Sequence, residues 1–177
     1  VFFAAKLDKK PQTIGTFIDE KIQENSNSVK GPGCGLYLTF QTKAKEQIQM
    51  QVGLSYTNIE NARNNRDSEA TGKSFDDVKN AAHQTWNEML SRIQVEGGTP
   101  EDKTKFYTGL YHALLGRGIA NDINGQYIRH DKTVGQIPLD KNGIPLYSHH
   151  NTDGMWGGFW NLTQIWTLPI LKYSPVT

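Results

Sequence analysis

Apolar and polar positions follow two different periods along this chain. Over the first 55 residues the apolar positions come in short runs rich in β-branched and aromatic side chains, at 1–7, 14–18, 35–40 and 46–54. Runs of that length and composition predict strands. The last run alternates, with Ile48, Met50, Val52 and Leu54 on one face and Gln47, Gln49 and Gln51 on the other. That is the pattern of a half-buried strand whose apolar face meets a core. Polar segments at 8–12, 24–33 and 41–45 supply the turns. Short strands at this spacing predict an antiparallel sandwich.

After Ser55 the period changes. Ser74-Phe-Asp-Asp77 has the form of a capping box, and Phe75, Val78, Ala82, Trp86, Met89, Leu90 and Ile93 then recur at helical spacing on one face. A second helix start is written at Thr99 as N-cap and Pro100 as the first helical residue, with Glu101 and Asp102 opposite the helix dipole. Its apolar side carries Phe106, Tyr107, Leu110, Tyr111 and Leu114. Ile123-Asn124-Gly125-Gln126 is a tight-turn signal. A last helix is expected over 158–168, before Pro169 disturbs it. The polar segment 64–73 reads as lying near a boundary. Strands first and helices afterwards predict an α+β arrangement, favoured here as the junction of a β-domain with an α-domain.

Composition narrows the function classes. The 177 residues carry 19 basic and 18 acidic side chains, a net charge of +1, so no basic stripe argues for nucleic acid. No apolar run approaches the roughly 20 residues of a membrane span. Hydrophobic content of 36% and a mean hydropathy of −0.60 are low for a self-contained domain. The chain opens on Val1-Phe2-Phe3-Ala4-Ala5, which reads as the middle of a strand without an initiator Met or a charged leader. The expectation is therefore a piece of a longer polypeptide. Its helices would leave apolar faces for the remainder of that polypeptide or a companion chain to cover. The single Cys34 excludes an internal disulfide framework.

The densest candidate chemistry is Asp153-Gly-Met-Trp156-Gly-Gly-Phe-Trp160-Asn161, led in by His149, His150 and Asn151 and followed by Trp166. Sugars show apolar C–H faces to flat rings, and their hydroxyls take hydrogen bonds from carboxylates and amides. A buried aromatic cluster explains the same residues without a ligand. His149, His150 and Asp153 are metal-ligand types in close order, but a zinc motif needs a spacing such as i, i+4 on a helix and a third ligand, and adjacent histidines on a strand face opposite ways. Asp122 and Asp131 flank the Asn124-Gly125 turn. Paired carboxylates serve glycoside hydrolysis, yet turn propensity accounts for these two more simply.

Several segments together resemble one family. They are Val52-Gly-Leu-Ser-Tyr-Thr-Asn-Ile-Glu60-Asn61-Ala62-Arg63, Trp86-Asn-Glu-Met-Leu-Ser-Arg-Ile93, Val95-Glu-Gly-Gly-Thr99, Phe106-Tyr-Thr-Gly-Leu-Tyr-His-Ala-Leu114 and Asp122-Ile-Asn-Gly-Gln-Tyr127. They look like the middle of glycoside hydrolase family 92, the bacterial exo-acting, calcium-dependent α-mannosidases. The resemblance implies that 1–56 is the C-terminal part of a β-sandwich domain. It makes 57–98 a helical linker and 99–177 the first elements of an (α/α)6 barrel catalytic domain. It implies removal of terminal mannose from α-mannosides, α-1,2-linked and of N-glycan type, with inversion by general acid/base catalysis. Calcium is the implied cofactor and α-mannoside glycans the implied partners. Action in the periplasm, at the cell surface or after secretion is also implied.

The family's aromatic-rich Leu-Trp-Asp motif aligns with Phe159-Trp160-Asn161. Trp160 matches, and Asn161 places a neutral amide where an acid is common, which leaves open a related member with other specificity. Substrate contacts are expected from Trp160, Asn161, Trp156 and Asp153. No catalytic acid or base maps onto this chain, so the isolated segment is expected to lack activity. The rival is a non-catalytic carbohydrate-binding or structural module.

Overall fold

Alternation of extended, β-branched residues with turn formers builds the first part of the chain. The structure is a computed structural model and describes residues 1–115, 118–150 and 165. The strands are β1 (Phe2–Leu7), β2 (Thr13–Ile18), β3 (Lys21–Glu24), β4 (Cys34–Thr39) and β5 (Met50–Ser55), followed by α1 (Ile59–Ala70), α2 (Phe75–Leu90), α3 (Pro100–Leu115), β6 (Gln126–Ile128) and β7 (Val134–Gln136). β1 and β5 form a two-stranded sheet. The chain divides into two compact units, Ala5–Gln51 and Val1–Ala4 with Val52–Thr177.

The first unit is built on a three-stranded antiparallel sheet in the order β3-β2-β4. β3 is not signalled by any apolar run, since Ile22 is the one large apolar residue in Lys21-Ile-Gln-Glu24. A tight turn at Asp19-Glu20 folds it back onto β2, with Asp19 at φ 50°. Two glycines in this sheet face aromatic partners across the ladder. Gly15 pairs with Tyr37 and Gly35 pairs with Phe17, and a Cβ on either glycine would overlap the opposing ring. A ring lying over a cross-strand glycine covers backbone that would otherwise be left bare.

In the second unit the helix starts follow their local chemistry. Ser74 Oγ accepts from Asp77 N at 3.1 Å while Asp77 Oδ2 accepts from Ser74 N at 2.9 Å, the reciprocal capping box. Thr99 and Asp102 repeat it at 3.2 and 3.1 Å. Those hydrogen bonds from the Ser74 and Thr99 backbones, then from their hydroxyls, hold the Asp77 and Asp102 carboxyls below the usual range. α2 and α3 meet where the Trp86 ring packs on Tyr111, with centroids 4.5 Å apart and planes tilted by 57°. Tyr107 Oη donates to the Ile93 carbonyl at 3.2 Å, and Leu110 is buried. Phe75 and Val78 remain exposed and no residue of α2 is fully buried.

Two expectations change. The alternating strand begins at Met50 rather than 46, and its buried face is the opposite one. Gly53 and Ser55 are buried, while Met50, Val52 and Leu54 are 61%, 44% and 59% exposed. The reason is α1. A Cβ at Gly53 would overlap the Ala62 carbonyl and crowd Arg66, so the helix lies directly on the glycine. α1 itself runs through most of the polar 64–73 stretch. It has almost no apolar face: Asn61 and Ala62 are its buried residues. The helix expected over 158–168 lies outside the described residues, apart from Ile165, which is helical.

Candidate functional site

Polar side chains hold α1 against the turn that follows α3. Asn58 caps the helix, its side chain accepting from Asn61 N at 2.7 Å. Asn61 and Asn65 then stand one helical turn apart on one face. Both reach Asp122, which is 4% exposed. Asp122 Oδ2 accepts from Ser55 Oγ at 2.9 Å, Thr57 Oγ1 at 2.5 Å and Asn61 Nδ2 at 2.9 Å, and Oδ1 accepts from Asn65 Nδ2 at 2.8 Å. The carboxylate thus collects four neutral donors from β5, the β5–α1 link and α1.

The amides close the circle. Asn65 Nδ2 also donates to the Leu54 carbonyl at 2.7 Å, and its Oδ1 accepts from Ile123 N at 2.9 Å. Asn61 Nδ2 faces Gln126 Oε1 at 2.6 Å and Thr57 Oγ1 at 2.7 Å, and its Oδ1 accepts from Asn124 Nδ2 at 2.9 Å. The turn is fixed by Gly125 N donating to the Asp122 carbonyl at 2.8 Å, with Gly125 at φ 82°. A carboxylate offers about four acceptor positions. Three of the four donors crowd Oδ2 and one reaches Oδ1, so the carboxylate is engaged at both oxygens by neutral groups. Its chemistry is to hold three segments together.

This frame leads to the candidate sugar segment. Asn121 Oδ1 accepts from His149 N at 2.7 Å and Ala120 N donates to the His149 carbonyl at 2.7 Å, while Ile119 bridges His150 in antiparallel fashion. The His149 ring stacks on Tyr127, with centroids 4.4 Å apart and planes 30° apart. Tyr127 in turn lies over Gly135 of the facing strand. Residues 148–150 are thereby anchored beside the Asp122 turn, immediately before residue 151. His150 Nδ1 is buried and has no hydrogen-bond partner among the described residues.

Asp153, Trp156, Trp160 and Asn161 all lie outside the described residues. Asp122 and Asp131, which flank the turn, have different surroundings. Asp131 closes its own Asx turn, accepting from Thr133 Oγ1 at 2.6 Å and Thr133 N at 2.9 Å, and these bonds hold its carboxyl below the usual range. No group of three His, Cys, Asp or Glu side chains converges on a metal-sized site among the described residues. The Asn61–Asn65–Asp122 network was not legible as a unit, because its members lie 57 to 67 positions apart. Its one sequence signal is the pair of amides at i, i+4 in an otherwise polar helix.

Residues 61–172 match the glycosyl hydrolase family 92 catalytic domain, and residues 1–55 match the family 92 N-terminal domain. An uncharacterized secreted glycosidase of Arthroderma benhamiae is 29% identical over 87 residues, 46% of this chain and 11% of the relative. A family 92 inverting mannosidase of Bacteroides thetaiotaomicron superposes with a TM-score of 0.81 at 21% identity, over 93% of this chain and 22% of that one. A second α-mannosidase of the same family and species, solved with mannoimidazole, gives 0.75 at 22% identity, over 93% of this chain and 21% of that one. The chain therefore spans about a fifth of the length of these structures. At this identity the likeness is one of fold: a β-rich N-terminal part followed by helices.

Proposed function

Because this chain belongs to glycosyl hydrolase family 92, we propose that the polypeptide containing it is an exo-acting α-mannosidase. It removes terminal mannose from α-mannosides, α-1,2-linked and of N-glycan type, with inversion. The observation that carries the reading is the order of the two family matches, N-terminal domain at 1–55 and catalytic domain at 61–172. A Bacteroides neighbour described as an inverting mannosidase supports the stereochemistry. The secreted fungal relative supports work outside the cytoplasm, in the periplasm, at the cell surface or beyond it.

In this reading residues from 99 onward begin an (α/α)6 barrel, and the stretch 153–161 contributes to the mannose site. The Trp160 ring takes the apolar face of the sugar and the Asn161 amide donates to and accepts from its hydroxyls. Trp156 and Asp153 line the same site. The acid that protonates the leaving oxygen and the base that activates water stand roughly 6.5–9.5 Å apart across the sugar, as inversion needs. Both come from elsewhere in the polypeptide, so the isolated segment is inactive.

Calcium belongs to the family reading, but the donor set of the described residues does not fit it. A hard divalent cation takes six to eight oxygens. No three His, Cys, Asp or Glu side chains converge among the described residues, and both oxygens of the buried Asp122 already accept neutral donors.

The test is hydrolysis of mannobioses of each linkage by the whole polypeptide and its Trp160→Ala variant. The α-1,2 linkage should be cleaved fastest. The variant should lose about tenfold or more in kcat/KM, equivalent to one stacking contact of about 1.4 kcal/mol, with the same melting temperature. Unchanged turnover in Trp160→Ala would remove this segment from the sugar site.

A further inference from the structure

We propose that Asn142-Gly143 is a spontaneous modification site, where the asparagine converts through a cyclic imide to aspartate and isoaspartate, while the fold shields Asn124-Gly125 from the same reaction. These are the two Asn-Gly steps of the sequence. A glycine after asparagine has no Cβ to hinder attack by its own amide nitrogen. In the reaction that nitrogen bonds to the asparagine Cγ and the Cγ–Nδ2 bond breaks. Nδ2 leaves as ammonia, carrying the proton that the glycine nitrogen gives up. Water then opens the ring. Its addition at Cγ gives aspartate, and its addition at the main-chain carbonyl gives isoaspartate. No other reactant is needed.

Attack requires the Cγ to come within about 3–3.5 Å of the glycine nitrogen. The asparagine side chain must therefore be free to turn, and the ring must have room. Both conditions hold at Asn142. It and Gly143 are exposed, and a Cβ built on Gly143 would meet nothing within 4 Å. Asn142 Nδ2 lies 3.4 Å from Asp140 Oδ2, longer than a hydrogen bond that would fix it. Neither condition holds at Asn124. Its Nδ2 donates to Asn61 Oδ1 at 2.9 Å and its Oδ1 accepts from Gln126 N at 3.1 Å, so both ends of the amide are tied. Its own carbonyl accepts from Gln136 Nε2 at 2.9 Å, which holds the peptide that would have to swing. Gly125 is buried, and a Cβ there would stand 2.9 Å from Gln136 Nε2, 3.2 Å from Pro145 Cγ and 3.3 Å from Leu139 Cδ2. The attacking nitrogens themselves are matched, since Gly125 N donates to the Asp122 carbonyl at 2.8 Å and Gly143 N to the Asp140 carbonyl at 3.0 Å. The contrast therefore lies in the side chains and the space around them. Conversion at Asn142 places a second carboxylate beside Asp140. The isoaspartate form also lengthens the main chain by one carbon inside a hairpin closed by Asp140 N donating to the Ile144 carbonyl at 2.8 Å.

The experiment incubates the whole folded polypeptide in mildly basic buffer, well below its melting temperature, and follows both sites by peptide mass spectrometry. The readout is the amide-to-acid mass change, with aspartate and isoaspartate separated by chromatography. Asn142 should convert about thirtyfold faster than Asn124, because two neutral hydrogen bonds must break before the Asn124 amide can turn. In concentrated urea the two rates should approach each other, since both sites are then the same dipeptide in an open chain. Asn142→Ser should abolish the fast phase, leave the slow one and keep the wild-type melting temperature. Equal rates at the two sites in the folded polypeptide would overturn the proposal. So would protection of Asn142, which would mean that the rest of the polypeptide covers this turn. A contrast that persists undiminished in urea would also overturn it, by assigning the difference to flanking sequence instead of the fold. No step involves a sugar, so none of these outcomes depends on the mannosidase reading.

Discussion

Two turns in this chain share the pattern Asp-x-Asn-Gly and have opposite surroundings. In Asp122-Ile-Asn124-Gly125 the aspartate turns away from its own turn and accepts four side-chain donors from β5, α1 and their link. In Asp140-Lys-Asn142-Gly143 the aspartate serves its own turn. Its Oδ1 accepts from Asn142 N and Ile144 N, both at 2.8 Å. The backbone of the two is alike, with Gly125 at φ 82° and Gly143 at φ 79°, each N–H donating to the aspartate carbonyl. The asparagines differ as the aspartates do. Asn124 is tied to Asn61 and Gln126, whereas Asn142 is exposed and reaches its aspartate only at 3.4 Å. Turn sequence fixes turn shape. What a turn residue does beyond the turn is decided by what the rest of the chain brings to it.

The largest effect that separates the turns is expected from Asp122→Ala. It strands the hydroxyls of Ser55 and Thr57 and the amides of Asn61 and Asn65, and should cost about 3 kcal/mol after water and rotation recover part of the loss. Urea unfolding of the whole polypeptide measures it. Asn61→Ala removes one arm of the same network and should cost about 2 kcal/mol in the same experiment. Asn124→Ala should cost about 1 kcal/mol, and Asn142→Ala should leave the midpoint where it is. Equal losses for Asn124 and Asn142 would erase the contrast between the turns.

The smallest effect is a local one at Asp140. The backbone hydrogen bond from Ile144 leads the groups that hold its carboxyl below the ordinary value of 3.8, against a desolvation cost. A carboxyl lowered in the folded state contributes stability that is present above 3.8 and lost as pH falls through the lower folded value. The Ile144 and Asn142 amide resonances should therefore shift together only below about pH 4. A midpoint above 4 would mean that these bonds do not favour the charged form.

The same contrast explains what could be read from the sequence. The helix starts at Ser74 and Thr99 were legible because their caps are local, within three residues. The strands β1, β2 and β4 were legible because β-branched and aromatic runs stand between polar turns. α1 was not legible from periodicity, and only the family resemblance implied a helical stretch there, since Ile59–Ala70 is polar nearly all round and is held by amides on a carboxylate some sixty residues away. β5 carries the plainest alternation in the chain, and its buried face is still the other one, because Gly53 admits the helix backbone where a larger residue could not. Asp122 read as a turn former, and it is one. Its second role needs the fold, as does any choice between a core and a sugar site for Trp156 and Trp160.

The most direct test of the functional account is the anomeric form of the first product. Proton NMR of the whole polypeptide acting on an α-1,2-linked mannobiose should show the β-anomer of mannose from the newly freed non-reducing sugar accumulating first, with the α-anomer growing in later by mutarotation. Inversion at an α-bond requires that order. Initial release of the α-anomer, or no hydrolysis of any α-mannobiose, would contradict it.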